Sequence, residues 1–468
     1  MISIGLYFYT KNKNAEDYYV GGRNMNSWHI GLSVVATDVG GGFSIGLGGL
    51  GFLMGISGSW MLFTGLIGAW LASVFLIPKV SQLAKVQKFL TFPQLFQHFY
   101  NGKVALLAGV ISAIGYIGFT SSQLLAGAKL ASATFLEMEM NTALLIMGVI
   151  AVGYTVVGGL KAVIYTDTIQ WIILMGGLIF IGIPVGYFAI GGMDAIKANV
   201  PSEFLSLTNI NAVTLLNWFI TIVPIWFVGM TLYQRIYACK DEKTAKKAWY
   251  IAGLFEYPIM AFMGVLLGLF ARVAAEQGMF AYAGYATAGA IDAEMGLPML
   301  LRTVLPVGLM GLMLSAYFSA IMSTADSCLM AASGNVVTDI LDRIVPRKLN
   351  DKEHLRYSQI ATLIIGILAL LLATVMQNVL ELMLLSYAFM VSGLFVPLIG
   401  ALFWKRGTAL AAFWSMLSGG LTTTILVLTN TDLPYGLDAN IGGITISGIV
   451  FLFLSFAFPA KTKNLFYV

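Results

Sequence analysis

The chain has few charged residues, few cysteines and few histidines for its length. Only 10% of its 468 residues are Asp, Glu, Lys or Arg, against about a quarter in a typical soluble domain. Its two cysteines, Cys239 and Cys328, and its three histidines, His29, His98 and His354, are scattered. This pattern predicts neither a disulfide nor a cysteine- or histidine-bound metal centre. The net charge of +4 comes from short loops, so it does not suggest nucleic-acid binding.

Apolar residues are correspondingly abundant. They make up 58% of the chain, and the mean hydropathy is +0.85. A soluble chain of this composition would expose large apolar patches and aggregate, which indicates a lipid environment. Since a helix needs about 20 apolar residues to cross a bilayer core, the sequence predicts about twelve full spans. These are 27–54, 58–77, 104–135, 142–158, 161–190, 211–236, 245–272, 298–340, 357–377, 381–403, 408–430 and 439–459.

The loop charges predict an orientation. Lys and Arg concentrate in alternate loops, among which we count Arg235, and the opposite loops are acidic. Cytoplasmic loops of membrane proteins hold the excess of Lys and Arg. We therefore expect a multi-pass protein of the inner (plasma) membrane with a cytoplasmic C-terminus. Residues 1–26 are interpreted as a truncated N-terminal helix and a cytoplasmic loop.

The first span contains an acid followed by three glycines. The stretch Ala36–Ser44 includes Asp38 and Gly40–Gly42 in mid-membrane, and glycine has a low helix propensity. We interpret it as a discontinuous helix whose unwound backbone offers oxygens to a cation. The alternative is close helix packing through small residues.

The eighth span contains a polar helix face. Ala320, Ser323, Thr324 and Ser327 share this face by helical spacing, with Asp326 at its edge. Adjacent hydroxyls suit Na⁺, a hard cation that prefers oxygen ligands. The alternative is back-bonding of each hydroxyl to the preceding helical turn.

Two further intramembrane acids lie on other spans. Gly158 and Gly159 predict a tight turn between spans four and five, and Asp167 follows in span five. The alternative for Asp167 is an ion pair with Lys161. Glu256 in span seven belongs to no motif and is assigned no role; pairing with a lysine of the preceding loop is one interpretation. Acids at membrane depth are costly and therefore usually functional.

With these residues the chain resembles the sodium:solute symporter family, which includes proline, sialic acid, sugar and choline transporters. The resemblance extends over nearly the whole chain. Its motifs are Asp17–Arg23, Ala36–Asp38, Gly158–Ala162, Thr166–Gln170, Met322–Ser327 and Phe403–Gly407. It implies an all-α fold with a leucine-transporter-type five-plus-five inverted repeat, in which spans one and six are broken. The repeats would be 27–190 and 211–403, followed by two accessory helices in 408–468.

The resemblance also implies ion sites. The principal sodium site would use main-chain oxygens of Ala36, Val39 and Ala320 and the hydroxyls of Ser323 and Thr324. A second sodium site, present in some relatives, would use Ser323, Asp167, Asp326 and Ser327. Asp38 would support sodium binding without contact, or face a cationic solute.

The function that follows is Na⁺-coupled symport of a small organic solute into the cell by alternating access. The solute class (amino acid, monocarboxylate, sugar or quaternary amine) stays open. The alternative is a sodium-independent channel or facilitator. We expect no enzyme activity and no obligate protein partner; the partners are sodium, the solute and the lipid bilayer. Candidate solute-binding residues, for which ordinary packing is the alternative, are Gly41, Gly42, Phe43, Ser122, Gln123, Trp226 and Tyr387.

Overall fold

The computed structural model describes residues 19–345, 350–431 and 433–459. Side chains at positions 39, 42–44, 154, 157–162, 166 and 351 are not part of this description. The predicted truncated N-terminal helix therefore lies outside the described residues, as do the last nine positions.

Helix is the regular structure throughout these ranges, and no β-sheet occurs in them. The bounds are α1 Ser27–Met54, α2 Trp60–Leu71, α3 Ile77–Gln87, α4 Pro93–Phe99, α5 Gly102–Thr134, α6 Met140–Gly177, α7 Ile183–Ala189, α8 Gly192–Asn199, α9 Ala212–Val228, α10 Met230–Ala238, α11 Glu242–Leu254, α12 Ala261–Glu276, α13 Ala293–Val304, α14 Val307–Gly334, α15 Asp351–Ala373, α16 Val379–Phe403, α17 Ala409–Leu428 and α18 Ala439–Ala457.

Nine helical segments of the described chain are long and apolar enough to cross a membrane, or ten if α9 and α10 count as one. The sequence predicts about twelve. The difference arises partly because consecutive helices join across short turns, as in the run 45–87, which contains the end of the first predicted crossing and the whole of the second. The segment Met140–Gly153 is apolar but short.

The outer faces of the bundle are apolar. Because lipid tails cannot hydrogen-bond, helices with apolar outer faces are the stable solution in a membrane. Large side chains at least 43% exposed occur on α6, α15 and α18. They include Leu145, Val149, Ile169, Ile172, Ile173, Leu363, Ile364, Ile367, Leu368, Leu371, Ile449, Leu452 and Phe453.

Helix α1 lies in the middle of the bundle. It packs against α5, α6, α11, α12, α13, α14 and α16. Helix α5 in turn packs against α14 and α16. The final pair, α17 and α18, packs mainly on itself and on α16. Polar groups on α1 are therefore shielded from lipid by other helices.

Helices α9 and α10 are two halves of a broken span. They meet at Gly229 with a bend of 42°, and Pro224 lies inside α9. Gly229 is extended, with φ −67° and ψ 113°. Just past the break, the Thr231 N–H donates to the Tyr116 hydroxyl at 3.0 Å. The break implied for span six is therefore present. The bond from Thr231 to Tyr116 satisfies a backbone N–H near it, as is necessary where no water can do so.

At Gly158 and Gly159 the structure differs from the prediction. Helix α6 runs continuously from Met140 to Gly177 through both positions, whereas the sequence suggested a tight turn. A glycine pair lowers helix propensity. In a membrane, however, leaving the helix would forfeit backbone hydrogen bonds that nothing else replaces.

One buried lysine ties three helices together at the acidic end of the bundle. The ammonium of Lys129 on α5 lies 2.5 Å from Asp292 Oδ2 and 2.6 Å from Glu294 Oε2. Glu294 also accepts the N–H groups of Val379 and Leu380 at 2.9 Å each. A carboxylate at the first turn of α16 is favourable because helix N-termini carry unpaired N–H groups and partial positive charge.

Candidate functional site

Helix α1 breaks at Gly40, whose backbone lies at φ 36° and ψ −157°. Glycine adopts this region without a Cβ penalty. Helix α14 packs closely against α1 at Gly40, since a Cβ on Gly40 would lie 2.5 Å from Thr324 Oγ1. The predicted discontinuity is present. Close packing through small residues also holds, because a Cβ on Gly41 would lie 2.4 Å from Ile321 Cγ1.

Three of the predicted principal sodium ligands come together at this break. The Thr324 hydroxyl donates to the Ala36 main-chain oxygen at 3.0 Å and lies 3.4 Å from the Ala320 oxygen. The longer contact is the back-bonding alternative, and the shorter one joins α14 to α1. Ser323 immediately precedes Thr324 on α14, but its hydroxyl donates to Asp167. Val39 precedes the break, with its side chain outside the described part.

Asp167 on α6 lies at the centre of a second polar cluster. Its carboxylate accepts the hydroxyls of Ser33 and Ser323. Arg235 Nη2 lies 3.5 Å from Asp167 Oδ2, and neither side chain has any exposed surface. The contact with Ser323 joins this cluster to the α14 face. Lys161, the alternative partner, has a side chain outside the described residues.

Arg235 was missed by the sequence analysis, which counted it with the loop charges. It lies on α10, fully buried. Its Nη2 donates to Thr37 Oγ1 at 2.5 Å and to Ser327 Oγ at 3.0 Å, and its Nε donates to Ser33 Oγ at 3.1 Å. The available signal was that Arg235 falls inside the predicted span 211–236, at a depth where a charge is costly.

The residues predicted for a second sodium site are therefore only partly together. Asp167 and Ser327 contact the Arg235 guanidinium, and Ser323 contacts Asp167. Asp326 points towards α6 instead, where its Oδ1 accepts the Thr155 hydroxyl at 2.5 Å. Its Oδ2 has no hydrogen-bond partner. A positive charge supplied by the chain itself thus contacts two of the four predicted ligands, Asp167 and Ser327.

Asp38 and Glu256 form a buried pair of acidic residues. Asp38 lies on α1 and Glu256 in the π-helical turn Phe255–Met260 between α11 and α12. The two carboxylates are neighbours, and their exposures are 6% and 0%. Apart from the hydrogen bond between the two carboxyl groups, Asp38 Oδ2 and both Glu256 oxygens have no hydrogen-bond partner. Glu256 thus faces another acid rather than a loop lysine.

Two predicted solute-binding aromatics border this pair. The Tyr387 phenol on α16 donates to Asp38, and its ring packs edge-on against Phe119, 5.1 Å between centroids. Trp226 on α9 is fully buried and borders α2 near Glu256: a Cβ on Gly65 would lie 2.1 Å from Glu256 Oε2 and 3.9 Å from Trp226 Nε1. These aromatics and the pair therefore share one region.

The remaining predicted solute residues form a separate chain of hydrogen bonds. The Gly41 N–H donates to Gln123 Oε1 at 2.9 Å, Gln123 Nε2 donates to Ser122 Oγ at 3.1 Å, and Ser122 Oγ donates to the Phe119 oxygen at 2.8 Å. Gly42 and Phe43 were also predicted, and their side chains lie outside the described part.

A cavity of about 520 Å³ lies among the helix ends that carry the acidic loops. Four carboxylates line it, and no Lys or Arg is among the described residues of its wall. Leu384 and Ala388 on α16 also line it and flank Tyr387, the residue that contacts Asp38. The four acids are Asp292, Glu294, Glu381 and Asp438.

Known proteins resemble the chain in sequence. The profile of the sodium:solute symporter family matches residues 18–419. The chain is 29% identical to the high-affinity proline transporter PutP of Bacillus subtilis (strain 168), over 99% of this chain and 97% of that one. It is 28% identical to the sodium/proline symporter of Escherichia coli (strain K12), over 91% and 85%. Against sodium/glucose cotransporter 1 of Oryctolagus cuniculus it is 26% identical over 93% and 71%.

Solved structures share the fold. A substrate-bound, outward-open Na⁺-coupled sialic acid symporter matches with a TM-score of 0.78 and 22% identity, over 98% of this chain and 96% of that one. Mhp1, a nucleobase-cation-symport-1 family transporter in a closed conformation, matches with a TM-score of 0.60 and 13% identity, over 96% of each. At these identities the likeness concerns the fold.

Proposed function

Because the chain belongs to the sodium:solute symporter family, we propose that it carries a small organic solute into the cell by alternating access, driven by sodium. Members of this family are multi-pass transporters rather than enzymes, and Na⁺ is the ion they co-transport. Na⁺-coupled solute symport is therefore the activity of this chain. The ion site, the solute, the direction and the conformational cycle form the proposal.

The observation that carries the proposal is the contact between Thr324 and Ala36. Its 3.0 Å length places a hydroxyl of α14 against a main-chain oxygen at the break of α1. We assign the principal sodium site to Ala36, Val39, Ala320, Ser323 and Thr324. Sodium prefers oxygen ligands, and this is the point where hydroxyl and main-chain oxygens of two helices converge.

Sodium at this junction would couple α1 to α14. With the ion bound, both helices gain a shared ligand, which stabilises the outward-open shape and the solute pocket beside α1. Solute binding then favours closure. Sodium release into the cytoplasm, where sodium is dilute, removes the shared ligand and frees the solute. A ligand shifts such an equilibrium only through its different affinity for the two shapes.

The driving force is sufficient for accumulation. One charge crossing 100 mV contributes about 2.3 kcal/mol, and a tenfold sodium gradient about 1.4 kcal/mol. Together they sustain roughly several-hundred-fold solute accumulation per coupled ion, since 1.4 kcal/mol corresponds to about tenfold.

We also propose the architecture implied by the resemblance. Residues 27–190 and 211–403 would be two inverted repeats, and α17 and α18 accessory helices. The breaks at Gly40 and Gly229 support this, because the first helix of each repeat is the one interrupted. The acidic cavity would face the periplasm, and the C-terminus the cytoplasm.

The test is uptake into proteoliposomes. A panel of radiolabelled solutes that includes proline, a sugar and a monocarboxylate is assayed with and without an inward sodium gradient. We expect saturable uptake of at least one solute that collapses when sodium is replaced by potassium. Non-saturating flux without sodium dependence would identify a channel or facilitator instead.

A further inference from the structure

The acidic cavity has a strongly negative wall. Four carboxylates line it, and no Lys or Arg is among the described residues of the wall. Lys129 is outside the wall but bonds both Asp292 and Glu294, so it offsets one of the four negative charges. Because a cleft lined by one sign of charge attracts counter-ions and repels co-ions, we expect the wall to concentrate cations from the surrounding solution.

The other two carboxylates of the wall have neutral partners. Glu381 Oε2 accepts the Asn378 amide at 2.9 Å, and Asp438 Oδ1 accepts the Asn217 amide at 3.0 Å. An amide donor completes a hydrogen bond without cancelling the charge of the acceptor. Both acidic residues are exposed. Their negative charges are therefore accessible to a cation that enters the cavity.

A neutral oxygen without a donor lies in the same wall. Asn440 on α18 lines the cavity and is 0% exposed. Its Nδ2 donates to Thr221 Oγ1 at 2.8 Å, whereas its Oδ1 has no hydrogen-bond partner. An unpaired buried carbonyl is costly, and a hard cation accepts such an oxygen as a ligand. Asn440 therefore offers a ligand position inside the negative wall.

The cavity lies beside the part of α1 that follows the break. Four residues between Gly46 and Leu53 line it, and the break is at Gly40. With a rise of 1.5 Å per residue, Gly46 is about 9 Å from Gly40 along the helix axis. This is close to the Debye length of about 8 Å at physiological salt. The wall charges therefore still act on an ion that approaches the junction with Thr324.

The arrangement favours a monovalent cation in transit over a resident divalent metal. In the described part of the chain, no three Asp, Glu, His or Cys side chains are arranged to hold a metal ion. Calcium needs six to eight oxygen ligands at short range, several of them carboxylates. A negative charge spread over a wide wall, with one unpaired neutral oxygen, instead attracts a small cation without trapping it.

From these observations we propose that the acidic cavity is the entrance for sodium. Glu381 and Asp438 raise the local sodium concentration, and the Asn440 carbonyl is the first buried oxygen that replaces water on the incoming ion. This contact is transient, so equilibrium binding holds no ion here beyond the one at the α1–α14 junction. The inference rests on the proposed function, because it names the route by which sodium reaches the proposed site.

The experiment measures how fast sodium binds. The purified full chain in nanodiscs of neutral lipid is mixed with NaCl in a stopped-flow instrument, and intrinsic tryptophan fluorescence reports binding. N-methyl-D-glucamine chloride holds the total salt at about 20 mM or about 500 mM, which corresponds to Debye lengths of about 20 Å and about 4 Å. A contribution from the wall charges is therefore present in the first condition and screened in the second.

The main variant is Glu381→Gln combined with Asp438→Asn. It removes two charges and leaves side chains of the same size that still present an oxygen to the neighbouring amides. Two charges about 10 Å away in water together change the local cation concentration about fourfold. We expect sodium to associate about fourfold more slowly at low salt, and at a rate near that of the wild type at high salt.

Two further variants separate charge from contact. Glu137→Gln with Glu139→Gln removes two exposed acids of an acidic loop that do not line the cavity. This control should change the rate less than about twofold. Asn440→Leu removes the carbonyl at similar volume and should slow association by the same factor at both salt concentrations, because a contact ligand is not screened. Thermal unfolding shows whether each variant is folded.

The outcomes separate the entrance from the proposed function. If sodium neither changes the fluorescence nor raises the thermal stability of the wild-type chain, the proposed function fails. If sodium binds normally but Glu381→Gln with Asp438→Asn associates as fast as the wild type at low salt, the entrance alone is overturned. An equal loss at both salt concentrations in that variant would also overturn it, since screened charges cannot produce such a result.

Discussion

The guanidinium of Arg235 lies 3.5 Å from the carboxylate of Asp167, and neither side chain has any surface exposed. The two residues come from α10 and α6. Their contact joins α10, the second half of the broken span, to α6. Asp167 on α6 also accepts the Ser323 hydroxyl. A buried pair of this kind is costly to break, because the remaining partner is left charged and unpaired.

We expect Arg235→Gln to lower the free energy of unfolding by about 3–5 kcal/mol, the usual cost of removing one partner of a buried ion pair. The double variant Arg235→Gln with Asp167→Asn should be less destabilised than Arg235→Gln alone, because no charge is then left unpaired. Chemical unfolding in detergent measures both. Strictly additive losses would mean that the two groups do not interact.

Arg235 also bears on how many sodium ions bind. A guanidinium in contact with Asp167 and Ser327 repels a second cation placed beside them, by several kcal/mol at such distances even at an effective dielectric constant of about 20. We therefore expect about one sodium ion per chain at saturation. Equilibrium binding of radioactive sodium to the purified protein measures this. Two ions per chain would require Arg235 to leave the cluster.

Gly40 is the position where α1 tolerates a side chain least. Gly40→Ala places a Cβ 2.5 Å from Thr324 Oγ1 at a positive φ. A backbone region that favours glycine costs other residues about 1–3 kcal/mol, and overpacking adds about 1–3 kcal/mol. We expect reduced thermal stability and loss of sodium-dependent uptake. Gly153→Ala on α6 is the control, since a Cβ there meets nothing within 4 Å; equal effects of the two changes would contradict this account.

The sodium assignment predicts a graded series at α14. Thr324→Ala should raise the sodium concentration for half-maximal uptake by about tenfold, the equivalent of one lost ligand interaction. Thr324→Ser keeps the hydroxyl and should stay near wild type, whereas Ser323→Ala should resemble Thr324→Ala. Thr445→Ala on α18, which removes a hydroxyl bonded only within its own helix, is the control. Unchanged sodium dependence in both alanine variants would show that the site is misassigned.

The proposed orientation is testable with thiol labelling. The natural cysteines, Cys239 and Cys328, are buried, so we expect them to react little with the label. Ala290→Cys and Lys243→Cys add exposed thiols at opposite ends of the bundle. We expect a membrane-impermeant maleimide to label Ala290→Cys in intact cells and Lys243→Cys only after permeabilisation. The reverse pattern would invert the topology.

Local features of the sequence predicted local features of the structure. Three glycines after Asp38 predicted a break in α1, and the break occurs at Gly40 because that backbone needs glycine. The hydroxyl pair on α14 predicted a polar face, and Thr324 does reach α1. Apolar length predicted a bundle of long helices, since a bilayer sets the length of each helix, but the described chain has nine or ten such segments rather than about twelve.

Contacts between distant residues could not be predicted in the same way. Glu256 belongs to no motif, and its neighbour Asp38 lies on another helix far away in the chain. No periodicity connects them. The sequence analysis counted Arg235 with the loop charges, whereas the bend at Gly229 places it inside the helix bundle. The glycine pair 158–159 failed as a turn signal, since α6 continues as helix through both positions.

The bonds of Glu294 limit how the acidic cavity can open. This one carboxylate bonds both Lys129 of α5 and the first N–H groups of α16, so we expect the adjoining ends of these helices and of α13 to move as one unit. Separating them would expose several unsatisfied groups at once. Any hinge that widens the entrance must therefore act between this unit and its neighbours, such as α1 or α9, so that α16 swings together with α5 rather than away from it.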